Sequence, residues 1–327
     1  MIKRVSMKDV ADRAGVSIAT VSHVLNQPGR VTPQTTASVV RAMNDLGFVR
    51  NQLARQLRTG TGTTIGMIVL NVANPFFANL AHACEKSAEE TGQSILLASS
   101  DQLPHREDRY LALLEEHRVN GLLVAPVGGP SVSMARLRDR GMPIVLFGNW
   151  TPAFCSVVLD DEEGGYLVAK HLIESGRRRL AFIGGPIGQV NAKWRGVQRA
   201  VLEGGGTLVR RVDTRDQTSH DGRAAVEELL ADGPDVEGII AVNDLTALGV
   251  LAGLSSAGLR VPDDVALTGY DDIEFAASAS VPLTTVRQPI DEIAREALSL
   301  LRDEAERPHE HRNVVLTPEL IVRDSTA

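Results

Sequence analysis

The chain has 327 residues, 43% hydrophobic and only 4% aromatic, with a formal net charge of −7. That length accommodates two or three domains, each able to bury a core. It holds no apolar run of 18 or more residues and opens on no charged-then-apolar leader, so neither membrane insertion nor secretion is indicated and a cytoplasmic protein is expected.

Residues 1–60 carry nine Lys or Arg against three Asp, a net +6, which leaves −13 on the remainder. A basic head on an acidic body places a nucleic-acid contact at one end and keeps the body off phosphate. Ser6 opens the first helix as N-cap, and Asp9 three residues on closes a capping box. Met7, Val10, Ala11 and Ala14 fall on one helical face, and Gly15 ends the helix as a residue tolerant of positive φ. Ser17 caps a second helix whose inner stripe is Val21, Val24 and Leu25, with Ala19, Ser22, His23 and Asn26 opposite. Thr32-Pro33 starts a third helix that buries Val39, Val40, Met43 and Leu46 and stops at Gly47. Two short helices joined by Gly15-Val16 have the geometry of a helix-turn-helix.

From Thr64 the pattern changes to strands alternating with helices. Strands are expected at Ile65–Leu70, Ser94–Ala98, Gly121–Ala125, Ile144–Phe147 and Val157–Leu159, with helices over Pro75–Gly92 and Arg106–His117. A second series follows, with strands at Leu180–Gly184, Leu208–Val212, Gly238–Ala241 and Val265–Gly269. Its helices lie near Gly164–Ser175, up to Glu203, over Gly222–Leu230 and over Leu245–Ala257. Continuous apolar strands covered by helices on both faces imply parallel sheets. Cys84 and Cys155 stand singly in apolar surroundings and read as reduced core residues.

Several strings make a resemblance specific. Lys8-Asp9-Val10-Ala11, Ala14-Gly15-Val16-Ser17 and Ala19-Thr20-Val21-Ser22-His23-Val24-Leu25-Asn26 resemble the head of the lactose-repressor (LacI/GalR) family of bacterial transcription regulators. Asn51-Gln52-Leu53-Ala54-Arg55-Gln56-Leu57-Arg58 is similar to that family's hinge helix, and the likeness runs through the rest of the chain. The fold class it implies is a small all-α helix-turn-helix head plus hinge helix, followed by a two-lobed α/β periplasmic-binding-protein-like core with parallel sheets. The implied boundaries are 1–50 for the head, 51–60 for the hinge and 61–327 for the core. Lobe 1 would take 63–160 and 290–318, lobe 2 161–288 and 319–324, and the helix from Pro289 to about Glu306 would pack on lobe 1.

The resemblance also implies residue roles. Ser17, Thr20 and Ser22 would bond phosphate, which positions the helix without reading sequence. His23 would donate to guanine, Ile18 or Ala19 would touch a thymine methyl, and Asn26 belongs to the same face. Ile18 could instead complete the core of the head. Many relatives carry Arg at the His23 position and a polar pair at 18–19, so the operator sequence is left open. The hinge, too short for a stable helix alone, would fold over DNA in a dimer. Leu57 would wedge between base pairs from the minor groove, and Asn51, Arg55 and Arg58 would anchor the duplex. In the core, strand ends supply the candidate effector contacts, namely Phe76, Phe77, Asn149, Trp150, Asn191, Arg195, Asn243 and Asp271. A charged fork, an amide and a carboxylate suit vicinal hydroxyls or a polar heterocycle. Asp271 could instead be a turn cap, and the two phenylalanines core packing.

The expected protein is therefore a homodimer that binds palindromic or pseudo-palindromic operator DNA, probing a small-molecule effector between its lobes. A sugar or sugar derivative is the first choice of effector and a nucleobase or nucleoside the alternative. No helix with heptads follows Glu319–Val322, which points to a dimer rather than a tetramer. Neither cofactor nor metal is expected. Gly184-Gly185-Pro186-Ile187-Gly188 fits neither the dinucleotide fingerprint nor the P-loop, and His309-Glu310-His311 lacks the H-E-x-x-H spacing and reads as a solvated loop. Asp160-Asp161-Glu162-Glu163 is more simply a helix N-terminus favoured by the macrodipole than a metal cluster. An enzyme finds no catalytic constellation. A DNA-independent binding protein is disfavoured by the +6 head.

Overall fold

The computed structural model describes residues 5–48, 63–148, 151–185, 188–231, 233, 235–306 and 310–327. These fall into two compact units, Met1–Gly62 and Thr63–Ala327. In the first, helices α1 (Met7–Ala14), α2 (Ile18–Asn26) and α3 (Pro33–Leu46) close on a core of Val10, Ala11, Val21, Val24, Val39 and Ala42. Both halves of the Ser6–Asp9 capping box are made, and Gly15 and Gly47 take left-handed φ of 68° and 63°. Val40, expected inside, is 45% exposed. The buried pair on α3 is Val39 and Ala42, and one residue's turn of about 100° carries Val40 away from them.

The second unit contains two parallel sheets. The first has the order β11-β5-β4-β3-β1-β2, formed by β1 (Thr64–Val69), β2 (Ser94–Ser99), β3 (Leu122–Val124), β4 (Ile144–Phe147), β5 (Cys155–Leu159) and β11 (Asn313–Leu316). Helices α4 (Pro75–Glu89) and α12 (Ile290–Glu306) cover one face through Leu80, Cys84, Ala297 and Leu301. Helices α5 (Pro104–Glu116) and α6 (Val132–Asp139) cover the other through Leu111, Leu114 and Met134. The expected packing of the 289–306 helix on this lobe is present. The sixth strand, β11, and helix α6 are elements that sequence periodicity did not single out.

The second sheet has the order β7-β6-β8-β9, with β6 (Arg179–Gly184), β7 (Thr207–Asp213), β8 (Gly238–Ala241) and β9 (Ala266–Thr268). Helices α7 (Asp161–Glu174) and α8 (Gly188–Gly204) pack on one side, and α9 (Ser219–Ala231) and α10 (Asp244–Ser256) on the other. A short helix α11 (Glu274–Ser278) and an antiparallel pair, β10 (Thr285–Arg287) with β12 (Glu319–Ile321), complete it. That pair is the exception to the all-parallel expectation. The chain leaves the first sheet after Leu159, returns to its helix layer at Ile290 and leaves again after Leu316.

One local feature sets up the site. A Cβ on Gly165 would collide with the backbone carbonyl of Lys193, and one on Gly196 with that of Glu162. Only glycine at both positions lets α7 and α8 approach backbone to backbone. That approach holds Lys193 against the start of α7.

Candidate functional site

A cleft partly open to solvent lies between the two lobes of the core. Its first-lobe wall comes from strand ends and the start of α4. Asn74 caps α4, its Oδ1 accepting from the Phe76 amide at 3.0 Å. This turns Phe76 and Phe77 inward as an edge-to-face pair, centroids 5.1 Å apart at 68°. Phe147 ends β4 and closes the apolar floor. Phe76 also packs against the core of each lobe, so it bridges them.

The second-lobe wall is polar. Asp271 follows β9 with φ of 105°, a backbone conformation that a non-glycine residue holds only where the surroundings impose it. Its amide donates to Val286 O at 2.8 Å, and its Oδ1 accepts from Gln288 Nε2 at 2.7 Å. The Asn74 side chain, from the other lobe, also favours its charged form. Burial pushes the Asp271 carboxyl up to about 6, while Lys193, Gln288 and Asn74 pull the other way. Asp272 is held by Arg323 at 2.6 Å and Arg287 at 2.7 Å. Asn243 caps α10, accepting from Thr246 N at 2.8 Å, and its amide donates to Gln217 O at 3.3 Å.

Beside these stands a cation. Lys193 Nζ lies 3.4 Å from the centroid of the Tyr270 ring, donates to Val242 O at 3.3 Å and is 3.9 Å from Asp161 Oδ1. Tyr270 OH donates to that same carboxylate oxygen at 2.7 Å. Burial raises the Asp161 carboxyl and Lys193 lowers it. Behind the wall, burial and then the charge of Asp271 push the Asp244 carboxyl up to about 8, against the pull of the Thr285 hydroxyl and the Ile273 amide that donate to it. Gln217 adds a donor that is not used internally. Its Nε2 is buried and makes no hydrogen bond among the described residues. Such a group costs about 1–3 kcal/mol until an acceptor meets it.

Of the sequence candidates, Phe76, Phe77, Asn243 and Asp271 line this cleft. Arg195 and Asn191 do not. Arg195 is largely exposed and pairs with Glu162 at 3.0 Å, and Asn191 is exposed on the same helix. Helical phase explains the difference. The inward stripe of α8 includes Val190, Val197 and Ala200, and Lys193 falls on it at i+3 from Val190, whereas Arg195 sits about 200° around from Lys193. A lysine inside an apolar stripe was the signal available in the sequence. Gln217 and Gln288 gave none, because they lie in loops that only the fold brings together. Asn149 and Trp150 lie outside the described residues, as do Asn51, Arg55, Leu57 and Arg58 of the hinge.

In the head, Ser17 caps α2, accepting from Thr20 N at 3.0 Å and bonding Thr20 Oγ1 at 2.9 Å. Ala19, His23 and Asn26 are exposed along one face, with Thr20 and Ser22 half-buried beside them. Asn26 Nδ2 donates to Ser22 O at 2.7 Å. Ile18 is 46% exposed and takes no part in the core of the head.

A helix-turn-helix head together with a two-lobed core, with a cleft between the lobes that has one polar and one aromatic wall, defines a DNA-binding transcription regulator under small-molecule control. Residues 6–51 match the model of bacterial regulatory proteins of the lacI family, and residues 169–326 that of the periplasmic binding protein-like domain. The chain is 32% identical to the HTH-type transcriptional repressor PurR of Photobacterium profundum, over 98% of each chain, and 33% identical to that of Aliivibrio fischeri at the same coverage. It belongs to the lacI family and is a DNA-binding transcriptional repressor. Among solved structures it resembles the lac repressor dimer bound to operator and the anti-inducer ONPF, at 26% identity, 99% coverage of each chain and a TM-score of 0.84. It also resembles the transcriptional regulator CelR in complex with cellobiose, at 32% identity, coverage of 98% of this chain and 100% of that one, and a TM-score of 0.75. A lacI-family regulator from Enterococcus faecium with bound ribose is 28% identical, covering 81% of this chain and 98% of that one, with a TM-score of 0.73.

Proposed function

We propose that this repressor senses a sugar or sugar derivative in the interlobe cleft, through Asp271, Asn243, Gln217 and Lys193 over a floor of Phe76, Phe77 and Phe147. The observation that carries the reading is a buried carboxylate flanked by amides and a cation, with the Gln217 Nε2 donor left unmatched. Vicinal hydroxyls both donate and accept, and so satisfy such a set, while the phenylalanine faces cover the apolar side of a pyranose or furanose ring. Two structural relatives hold cellobiose and ribose. A nucleobase or nucleoside is the second reading. It is favoured by the PurR repressors among its relatives, by the amide-rich wall, whose paired donors and acceptors match a heterocycle edge, and by aromatic rings that stack on it.

The effector acts by its differential affinity for open and closed lobes. Operator contact falls to the exposed face of α2, with Ser17, Thr20 and Ser22 on phosphate and Ile18, Ala19, His23 and Asn26 towards base edges. The hinge residues Asn51, Arg55, Leu57 and Arg58 complete it. The working unit is a homodimer acting in the cytoplasm on a two-fold symmetric operator. Leu96 and Leu97, each 43% exposed on edge strand β2, offer apolar surface to a second subunit. No helix among the described residues is long and apolar enough to cross a membrane. The cleft has the inventory of a binding site rather than of a hydrolase or transferase, and no catalytic role is assigned to it. Calorimetry of the full chain against a panel of mono- and disaccharides, their acids and phosphates, and the nucleobases and nucleosides tests the reading. Saturable binding of a sugar, lost in Asp271→Ala, is the expected result. Binding confined to nucleobases selects the second reading. Sugar binding that Asp271→Ala leaves intact refutes the site.

A further inference from the structure

We propose that Cys155, Glu304 and His311 form a binding site for one zinc-class divalent cation in the first lobe, apart from the effector cleft. Cys155 Sγ, a carboxylate oxygen of Glu304 and a ring nitrogen of His311 all lie within 4.8 Å of one another. They come from three elements. Cys155 opens β5, Glu304 sits in the last turn of α12, and His311 stands two residues before β11. The sequence gives no hint of the grouping, since about 150 residues separate the cysteine from the other two. The site lies at the opposite end of β5 from Leu159, which lines the cleft.

The group runs from a buried sulfur to an exposed histidine at the rim. Cys155 is fully buried, and the side chains of Glu304 and His311 are 10% and 25% exposed. His311 Nδ1 bonds Glu304 Oε1 at 2.9 Å, and its ring stacks on Phe154 with centroids 6.5 Å apart at 29°. The Arg312 amide donates to Cys155 Sγ at 3.2 Å. An N–H aimed at sulfur is the support a metal-bound thiolate takes from its surroundings, and a ring packed in one orientation is the support an imidazole ligand takes.

The donor set selects the metal. Thiolate with imidazole and one carboxylate suits Zn²⁺ and its borderline neighbours, whereas Mg²⁺ and Ca²⁺ require oxygen cages. Bond lengths of about 2.0–2.3 Å put the ligand atoms of a tetrahedral centre roughly 3.3–3.8 Å apart, so closing the site takes a shift of about 1 Å or less at side-chain ends. Three protein ligands leave the fourth position to water. Burial pushes the Cys155 thiol up to about 11, so without metal the sulfur keeps its proton at neutral pH. On binding, the S–H bond breaks, sulfur bonds the metal and one proton leaves to solvent. The His311 nitrogen facing Glu304 binds as the neutral imidazole, the ring proton residing on its other nitrogen. The metal would clamp β5, α12 and β11, the three first-lobe elements that adjoin the passages of the chain between lobes.

The test uses the full chain stripped of metal, with Zn²⁺ titrated against a chromophoric chelator and Co²⁺ as optical probe. The expected result is one Zn²⁺ per chain, release of about one proton, a raised melting temperature, and a Co²⁺ complex with tetrahedral ligand-field bands and a thiolate charge-transfer band. Cys155→Ser and His311→Ala should each weaken Zn²⁺ binding by at least the roughly tenfold to hundredfold lost with a mere supporting partner, and His220→Ala in the other lobe should leave it unchanged. His311→Ala alters the more exposed side of the site, so it reports even if the buried Cys155→Ser protein folds poorly. Absence of stoichiometric Zn²⁺ binding overturns the proposal, as does binding of equal strength in His311→Ala, or a Co²⁺ complex without the thiolate band.

Discussion

Replacing Asp271 by asparagine should make the effector-free repressor more stable and its effector binding weaker, with opposite dependence on pH. The folded protein raises the Asp271 carboxyl from 3.8 to about 6, chiefly by burial. A raised acid means that the fold prefers the protonated form. Its contribution is therefore fully present below the ordinary carboxylate value and is lost as pH rises through about 6. The rise from 3.8 to about 6 corresponds to roughly 3 kcal/mol. Roughly half of that loss, on the order of 1 kcal/mol, falls between pH 5 and pH 8. Asparagine keeps an oxygen to accept from Gln288 and carries no charge, so it removes this loss. Thermal melts without effector should show the variant gaining about 3–6 °C on the wild type between pH 5 and pH 8. Effector affinity runs the other way. Ligand hydroxyls that donate to Asp271 favour the carboxylate, so wild-type affinity should fall as pH drops through about 6 and level off above it. The variant should bind about tenfold to a hundredfold more weakly and show no such dependence. A variant whose stability tracks the wild type at every pH, or whose effector binding keeps the same pH profile, would refute the electrostatic account of the site.

Lys193→Met keeps the stem and removes the ammonium that lowers both Asp161 and Asp271. The midpoint of the pH profile for effector binding should then move above about 6 and affinity should drop at least tenfold, a result checked by calorimetry across pH. In the head, His23→Ala should cost about 1–3 kcal/mol on the true operator and little on random duplex, because only base-edge contacts discriminate. Equal losses in gel-shift titrations of both duplexes would remove His23 from the readers. Gly196→Ala inserts a Cβ against the Glu162 carbonyl and must part α7 from α8. The overpacking should destabilise by about 1–3 kcal/mol or more in chemical denaturation, with effector affinity falling as Lys193 shifts.

Local chemistry, which a sequence displays directly, accounts for what was legible. Capping at Ser6, Ser17 and Thr32 and left-handed stops at Gly15 and Gly47 are decided within four residues, so the head could be laid out from the sequence. The hydrophobic runs Ile144–Phe147 and Gly238–Ala241 coincide with β4 and β8, because a strand buried on both faces has no other composition open to it. Phe76, Phe77, Asn243 and Asp271 could be nominated because each stands at a strand end or helix start, where open parallel sheets place ligands. What only the tertiary structure decided is which side chains meet. Lys193 rather than Arg195 enters the cleft because two glycines let α7 and α8 touch, and that contact fixes the rotation of α8. Gln217 and Gln288 reach the site from loops without periodicity, and Val40 turns to solvent because the core of the head is complete without it. Cys155 and His311 read separately as core thiol and solvated loop. They become neighbours only because β11 joins the first sheet beside β5, a pairing between segments about 150 residues apart that no local pattern encodes.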